Sequence, residues 1–94
     1  MVNAIILLNV ERETINEVAE QLAAAEGIAE VYSVAGKYDL AAIARVPDNE
    51  ALAELVTTRV RKEKRIVRSE TLISFRVYSR YDLEHLFSIG DDAP

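Results

Sequence analysis

Two similar strand–helix–strand halves, joined by a glycine-containing hairpin, constrain the fold of this chain more than any other feature of its sequence. Apolar runs rich in β-branched residues predict strands at residues 2–10, 28–35, 39–46 and 67–78. The order β-α-β-β-α-β is characteristic of an α+β, ferredoxin-like sandwich. Because crossovers are right-handed, both helices should cover one face of an antiparallel sheet and leave the other face bare. We therefore predict a single domain over residues 1–94.

The two helices are predicted from apolar residues at helical spacing and from signals at their ends. Thr14 and Glu17 fit a capping box, in which both side chains satisfy free N–H groups of the first turn. Gly27 is a natural stop after this helix. Asp48 offers an N-cap for the second helix, which is predicted to run to about Lys62.

The first strand is apolar on both faces. If Ile6 and Leu8 face the helices, Ile5 and Leu7 must face away from them. A soluble monomer rarely exposes a contiguous apolar patch of more than a few hundred Å². We therefore predict a homodimer whose sheets pack face to face as a dimeric α+β barrel. The alternative is a monomer in which residues 81–89, predicted as a short turn or helix, fold over the sheet.

Composition limits the classes of function. The net charge of −5, from 11 basic and 16 acidic residues, makes nucleic-acid phosphates an unfavourable partner. The chain has no cysteine, which excludes disulfides and thiolate metal sites. No apolar run approaches ~18 residues and the N-terminal residues lack a leader pattern, so we expect a cytoplasmic protein that does not bind membranes. Residues 90–94 are expected to fray.

Six of the eleven basic residues lie between Arg59 and Arg68. We interpret them as cations favoured at a helix C-terminus and in a solvated turn, rather than as a nucleic-acid surface. The predicted first and third strands have no aromatic residue, so RNA binding by the sheet is not expected. His85, the only histidine, is interpreted as a surface or packing residue, and no metal-ligand spacing or cofactor motif is present.

Two small groups of residues are candidates for ligand binding. Near Gly36, which suits a hairpin corner, backbone N–H groups and the Asp39 carboxylate could hold the two ends of a zwitterion. The alternative is an ordinary hairpin with a polar rim. Ser69 and Thr71 share one face of the last strand, and Glu70 points to the other. The hydroxyl pair could bind a small polar ligand or be ordinary strand residues.

The hairpin sequence Val-Tyr-Ser-Val-Ala-Gly-Lys-Tyr-Asp-Leu, residues 31–40, is close to the pattern V-x-x-x-x-G-x-Y-D-L. A second match is Val-Arg-Ser-Glu-Thr, residues 67–71, followed by an apolar strand. With these motifs the chain resembles, over nearly its whole length, the ligand-binding (RAM) domain of the Lrp/AsnC transcriptional regulators. The resemblance implies dimers with facing sheets, assembly commonly to octamers, and binding of amino acids or related effectors where dimers meet.

The resemblance also implies which residues bind the effector. The implied residues are Gly36, Lys37, Tyr38, Asp39 and Leu40 from the hairpin, with Ser69 and Thr71 from the last strand. The two last-strand residues would come from the same subunit as the hairpin or from an adjacent one. One departure is Ile66, which occupies a position where the family often has glycine before the last-strand valine.

A second departure concerns DNA binding. Full-length regulators place a helix-turn-helix module before this domain, whereas here the first predicted strand begins at Val2. We therefore expect a stand-alone module that makes no direct contact with nucleic acid. It would sense an amino acid and co-assemble with a full-length regulator to affect transcription or amino-acid metabolism.

Two other functions deserve comparison. A dimeric α+β barrel enzyme, such as a cofactor-independent oxygenase or isomerase, needs a polar group deep in the sheet. The available donors are Asn3, Asn9, Arg45, Arg76 and His85, which do not form a convincing set. An ACT-type regulatory domain usually has glycine where the first strand enters its helix, and residues 10–14 contain none. We therefore predict a regulatory module that is not an enzyme.

Overall fold

The computed structural model of the chain describes residues 1–78 and residue 80. Its elements follow the predicted order. They are β1 (Val2–Val10), α1 (Ile15–Ala23), β2 (Ile28–Ser33), β3 (Leu40–Val46), α2 (Asn49–Leu55) and β4 (Ile66–Ile73). A π-helical segment, Val56–Arg61, continues α2, so the second helix reaches the end predicted for it. His85, the predicted turn or helix at 81–89 and the predicted tail at 90–94 lie outside the described residues.

The strands form one antiparallel sheet in the order β2-β3-β1-β4. β1 is paired on both sides, with Ile6 opposite Ala42 of β3 and Thr71 of β4. Alternate residues of the central strands point toward the helices, and the helices contribute the rest of the core. The largest fully buried side chains are Ile6, Leu8, Leu40, Val18 and Val60. The α+β, ferredoxin-like prediction is therefore confirmed.

The two helices begin differently. The capping box predicted for α1 is not formed, because the Thr14 hydroxyl donates to the Glu11 carbonyl at 2.6 Å instead. A turn closed by the Thr14 N–H and the Glu11 carbonyl, 3.2 Å apart, precedes the helix, with Glu13 at a φ of +68°. At α2 the predicted cap is confirmed, since the Asp48 carboxylate accepts from the Ala51 N–H at 2.8 Å.

The last strand is shorter than predicted. β4 ends at Ile73 rather than near residue 78, and in this register β1, which begins at Val2, lies opposite nothing beyond residue 75. The Ser74 N–H donates to the Asn3 carbonyl at 2.8 Å, which is the last contact of this ladder. Beyond it the Phe75 side chain is fully exposed. Within the described residues, no helix is long and apolar enough to cross a membrane.

Candidate functional site

The hairpin between β2 and β3 is a six-residue loop, longer than the tight connection expected from the sequence. It is closed by the Val34 N–H, which donates to the Asp39 carbonyl at 3.0 Å. Gly36 has a φ of +131°, a conformation that side chains rarely adopt, although a Cβ added here would have nothing within 4 Å of it. Backbone conformation, and not lack of space, therefore requires glycine at this position.

Asp39 fastens this loop to the end of β1. Its Oδ2 accepts from the Val10 N–H at 3.0 Å and from Asn9 Nδ2 at 3.4 Å. Asn9 Nδ2 also donates to the Lys37 carbonyl at 3.1 Å, and the Asp39 N–H donates to the Leu8 carbonyl at 2.8 Å. The ladder between β1 and β3 ends at Leu8, so the carboxylate supplies the acceptor that Val10 would otherwise lack.

Tyr38 connects the loop to β4 on the face of the sheet away from the helices. Its hydroxyl donates to Glu70 Oε2 at 2.6 Å, and the Arg68 guanidinium lies 5.7 Å from the centre of its ring. The hydrogen bond to Glu70 raises the pKa of Tyr38 above its ordinary value near 10, with desolvation and the charge of Glu70 acting in the same direction. The Arg68 charge opposes this rise.

Ser69 and Thr71 lie on the other side of the sheet. They are opposite Leu8 and Ile6, whose side chains are buried under the helices, and paired residues of an antiparallel ladder share a face. Thr71 also lines an apolar groove beside α2. Within one protomer, the structure brings Tyr38 to Glu70 and places the hydroxyl pair across the sheet from that contact.

The remaining predicted hairpin residues have contrasting environments. Lys37 is exposed, whereas the Leu40 side chain is fully buried in the core. Sequence reasoning missed the contacts of three further residues at this end of the sheet, namely Asn9, Arg68 and Glu70. The alternation of side chains along β4 indicates only that Glu70 lies on the other face of the sheet from Ser69 and Thr71. The register between strands, which selects its partner, is not visible in the pattern.

The face of the sheet away from the helices is apolar at its centre. Ile5 and Leu72 are 39% and 44% exposed, and Leu7 and Ile43 beside them are partly covered. Tyr32 of β2 lies at one border of this surface and is 49% exposed. We call these five residues the open face. This is the face that the sequence predicts to be apolar and left bare by the helices.

Among the residues that the structure describes, no polar or charged side chain is buried, and no group of three or more His, Asp or Glu is placed to hold a metal. Of the donors considered for an enzyme, Asn9 is engaged in holding the loop. The arrangement at the loop is one of exposed donors and acceptors fixed in place, which suits reversible binding.

Comparison with known proteins agrees with this architecture. The family model described as the Lrp/AsnC ligand binding domain matches residues 3–83. A protein of Thermus thermophilus with a known crystal structure is 38% identical, with a TM-score of 0.79 over 85% of this chain and 100% of that one. An uncharacterised HTH-type transcriptional regulator of Pyrococcus furiosus is 36% identical over 62 residues, which are 66% of this chain and 41% of the regulator's length.

A third similarity concerns the fold alone. A transcriptional regulator of Neisseria meningitidis, solved as a complex with L-methionine, has 12% sequence identity and a TM-score of 0.74 over 83% of this chain and 52% of that one. The strand order, the hairpin motif and the family match over residues 3–83 lead to one conclusion. This chain belongs to the Lrp/AsnC ligand-binding domain family.

Proposed function

We propose that this protein is an oligomeric module that binds an amino acid or a related small effector through the loop between β2 and β3. It regulates transcription or amino-acid metabolism in the cytoplasm, acting on its own or by co-assembly with full-length Lrp/AsnC regulators. The observation that carries the proposal is the loop fixed by Asp39, with free donors at its tip and a free carboxylate oxygen at its base.

The chemistry of the loop matches both ends of an amino acid. Among the described residues, the backbone N–H groups of Ala35, Gly36, Lys37 and Tyr38 have no acceptor, so they remain available to a carboxylate. Both hydrogen bonds that Asp39 accepts go to Oδ2, which leaves Oδ1 for an ammonium group. Because the loop is already held in place, little ordering entropy is lost on binding.

The separation of the predicted site residues supports a site at a contact between subunits. The Tyr38–Glu70 contact and the Ser69 and Thr71 hydroxyls face opposite sides of one sheet, so a single small molecule does not reach both within a protomer. β4 is an edge strand and Ser69 is exposed, so a neighbouring subunit has access to these hydroxyls. The hairpin of one subunit and β4 of another could thus complete the site.

The open face supports the dimer on which such an assembly depends. Its apolar centre, formed by Ile5, Leu7, Ile43 and Leu72, is the surface that a second sheet would cover. Burial of apolar surface is worth roughly 25 cal/mol per Å² before association costs. We propose a homodimer with facing sheets that assembles further, as in the octamers expected from the family.

Isothermal titration calorimetry against each of the twenty amino acids tests the proposal. The regulator of Neisseria meningitidis that was solved with L-methionine makes this amino acid a natural first ligand. We expect heat with at least one amino acid and a loss of binding of tenfold or more in Asp39→Asn. This variant keeps a carbonyl acceptor for the Val10 N–H but loses the charge that attracts an ammonium group.

Asp48→Asn is the matched control, because it makes the same chemical change at the N-cap of α2, away from the loop. We expect it to bind as the unmodified protein does. Absence of heat with all twenty amino acids at millimolar concentration would remove the amino-acid proposal. Co-assembly is tested separately by native mass spectrometry of the protein mixed with a full-length regulator from the same organism, where mixed oligomers are expected.

A further inference from the structure

Two clefts on the helical layer share no lining residue with the hairpin and have no place in the proposed function. The first, about 100 Å³, lies between α1 and the π-helical segment, and the second, about 390 Å³, lies beside Gly27 and Pro47. Thr58 and Arg59 line both of them. The two clefts therefore adjoin at these residues, and we call the pair of clefts the trough.

The π-helical segment explains why Thr58 and Arg59 face this trough. Leu55 and Val60 are both buried although they are five residues apart, a spacing that the wider π-helical turn places on one face. Thr58 and Arg59, which lie between them, remain exposed. The Thr58 hydroxyl donates to the Glu54 carbonyl at 2.7 Å, which satisfies a backbone acceptor within this turn.

The first cleft is positively charged. Arg59 and Lys62 line it and have no acidic partner among the described residues. Its one carboxylate, Glu63, accepts from Arg65 at 2.8 Å and 2.9 Å, and this pairing lowers the pKa of Glu63 to about 2. Gln21 also accepts from Arg65 through Oε1, so its amide nitrogen keeps its donors. Two cations and an amide thus surround this cleft, and its carboxylate is already neutralised.

The second cleft differs in character. Val46, Pro47 and Leu55 give it apolar walls, and the acidic residues Glu26 and Glu54 also line it. Apolar walls with a few polar groups are typical of sites that hold an organic ring and orient it through hydrogen bonds. Carboxylates accept from amino and hydroxyl groups and repel a second anion. The first cleft of the trough therefore suits an anionic group, and the second suits an organic ring that carries hydrogen-bond donors.

We propose that this trough binds an organic phosphate of the nucleotide type. Arg59 and Lys62 hold the phosphate, as charge-assisted donors do in other phosphate sites. The ring lies against Val46, Pro47 and Leu55, and its amino or hydroxyl groups donate to the two carboxylates. The site is a second one on this chain, on the layer opposite the open face, and does not depend on amino-acid binding at the loop.

Titration of the intact protein with adenosine monophosphate, adenosine and inorganic phosphate, followed by 1H–15N NMR, tests this site. We expect adenosine monophosphate to bind at least tenfold more tightly than either of its parts. The largest shifts should fall on the amides of Gly27, Thr58 and Lys62. Arg59→Gln should weaken binding of adenosine monophosphate tenfold or more, since it removes a charged phosphate donor.

Arg61→Gln is the matched control, because it removes the same charge from the same segment and lines neither cleft. It should weaken binding less than threefold. An equal loss in the two variants would mean diffuse attraction and would overturn the site. So would binding of inorganic phosphate as tight as that of the nucleotide, or tighter binding of a DNA duplex through Arg59. The same spectra report whether each variant is folded, and the Asp39 amide reports amino-acid binding separately.

Discussion

The two faces of the sheet have the same apolar character in the sequence but different surroundings in the protomer. Along β1, the residues that point to the helices are buried, with Ile6 fully inaccessible, whereas Ile5 on the other face is 39% exposed. The same contrast holds for β3, where Ala42 and Ala44 are buried and Ile43 is partly covered. One face is therefore completed by the chain's own helices and the other is left incomplete.

This difference shows that apolar alternation alone does not say what covers a strand. A strand that is apolar on both faces suits the interior of a layered structure. Here α1 and α2 supply one layer, and the described residues supply none for the other face. The comparison predicts that mutations on the helical face act on folding, whereas those on the open face act on association.

The largest effect is expected from truncation on the helical face. Ile6→Ala should lower the free energy of unfolding by about 2–5 kcal/mol, because it leaves a cavity in a closed core. Ile5→Ala is the matched variant, with the same change one residue away on the open face. In dilute, dissociated protein it should cost less than about 1 kcal/mol. Urea denaturation measures both, and equal losses would contradict the contrast between the faces.

The second prediction concerns association. Leu72→Asp places a carboxylate within the open face and should weaken the proposed dimer at least ~100-fold, because a charge without a partner is costly in an apolar interface. Sedimentation velocity at several concentrations measures the change. Ala53→Asp is the control, since this residue is exposed on α2, on the layer opposite the open face. A wild-type protein that is monomeric at all concentrations would end the dimer proposal.

Much of the fold was predictable because it depends on local patterns. The order of elements, the two-sided β1 and the Asp48 cap follow from residues close together in the chain. The length of β4 depends instead on its pairing with β1, a strand about 60 residues earlier in the chain. The failure of the Thr14 cap depends on a turn in which Glu13 has a positive φ, a conformation that nothing in its residue type indicates.

The candidate site was less predictable for the same reason. Asp39 and Tyr38 were found from the hairpin motif, but their partners lie about 30 residues away in sequence. The pairing register decides that Tyr38 meets Glu70 and that Ser69 lies across the sheet. A pattern of residue types identifies which side chains share a face, and only the register between strands identifies which of them meet.

The third prediction tests how firmly the loop is attached to the sheet. Asp39→Ala should lower the free energy of unfolding by about 1–3 kcal/mol, because it leaves the partly buried Val10 N–H without an acceptor. Asp39→Asn should cost less, since its side-chain carbonyl still accepts from Val10. Thermal or urea denaturation compares the two. An equal cost would mean that the charge of Asp39, and not this hydrogen bond, holds the loop.

The fourth prediction uses Tyr38 on the open-face side. Glu70 raises the pKa of Tyr38, so the hydrogen bond between them stabilises the fold at every pH below the pKa of an unfolded tyrosine. This stabilisation is lost as the pH rises through the pKa of Tyr38 in the folded protein. Glu70→Gln should move the titration of Tyr38 down toward the ordinary value near 10. NMR of 13C-labelled tyrosine follows this change. An unchanged titration would mean that the hydrogen bond does not form in solution.

The smallest effect is expected from the ion pair of Glu63 and Arg65 on the helical side, where both groups remain in contact with water. Hydrogen bonds from Arg65 lower the pKa of Glu63 to about 2. As pH falls, this carboxylate is therefore protonated in the unfolded chain before it is protonated in the folded one. The pair's contribution is present above about pH 4.5 and is lost between that pH and about 2. Glu63→Gln should flatten this part of the stability curve, measured by urea denaturation from pH 6 to the lowest pH at which the protein folds. Glu20→Gln, an exposed change on α1, removes the same charge without touching the ion pair, and the same flattening in both variants would assign the acid dependence to overall charge.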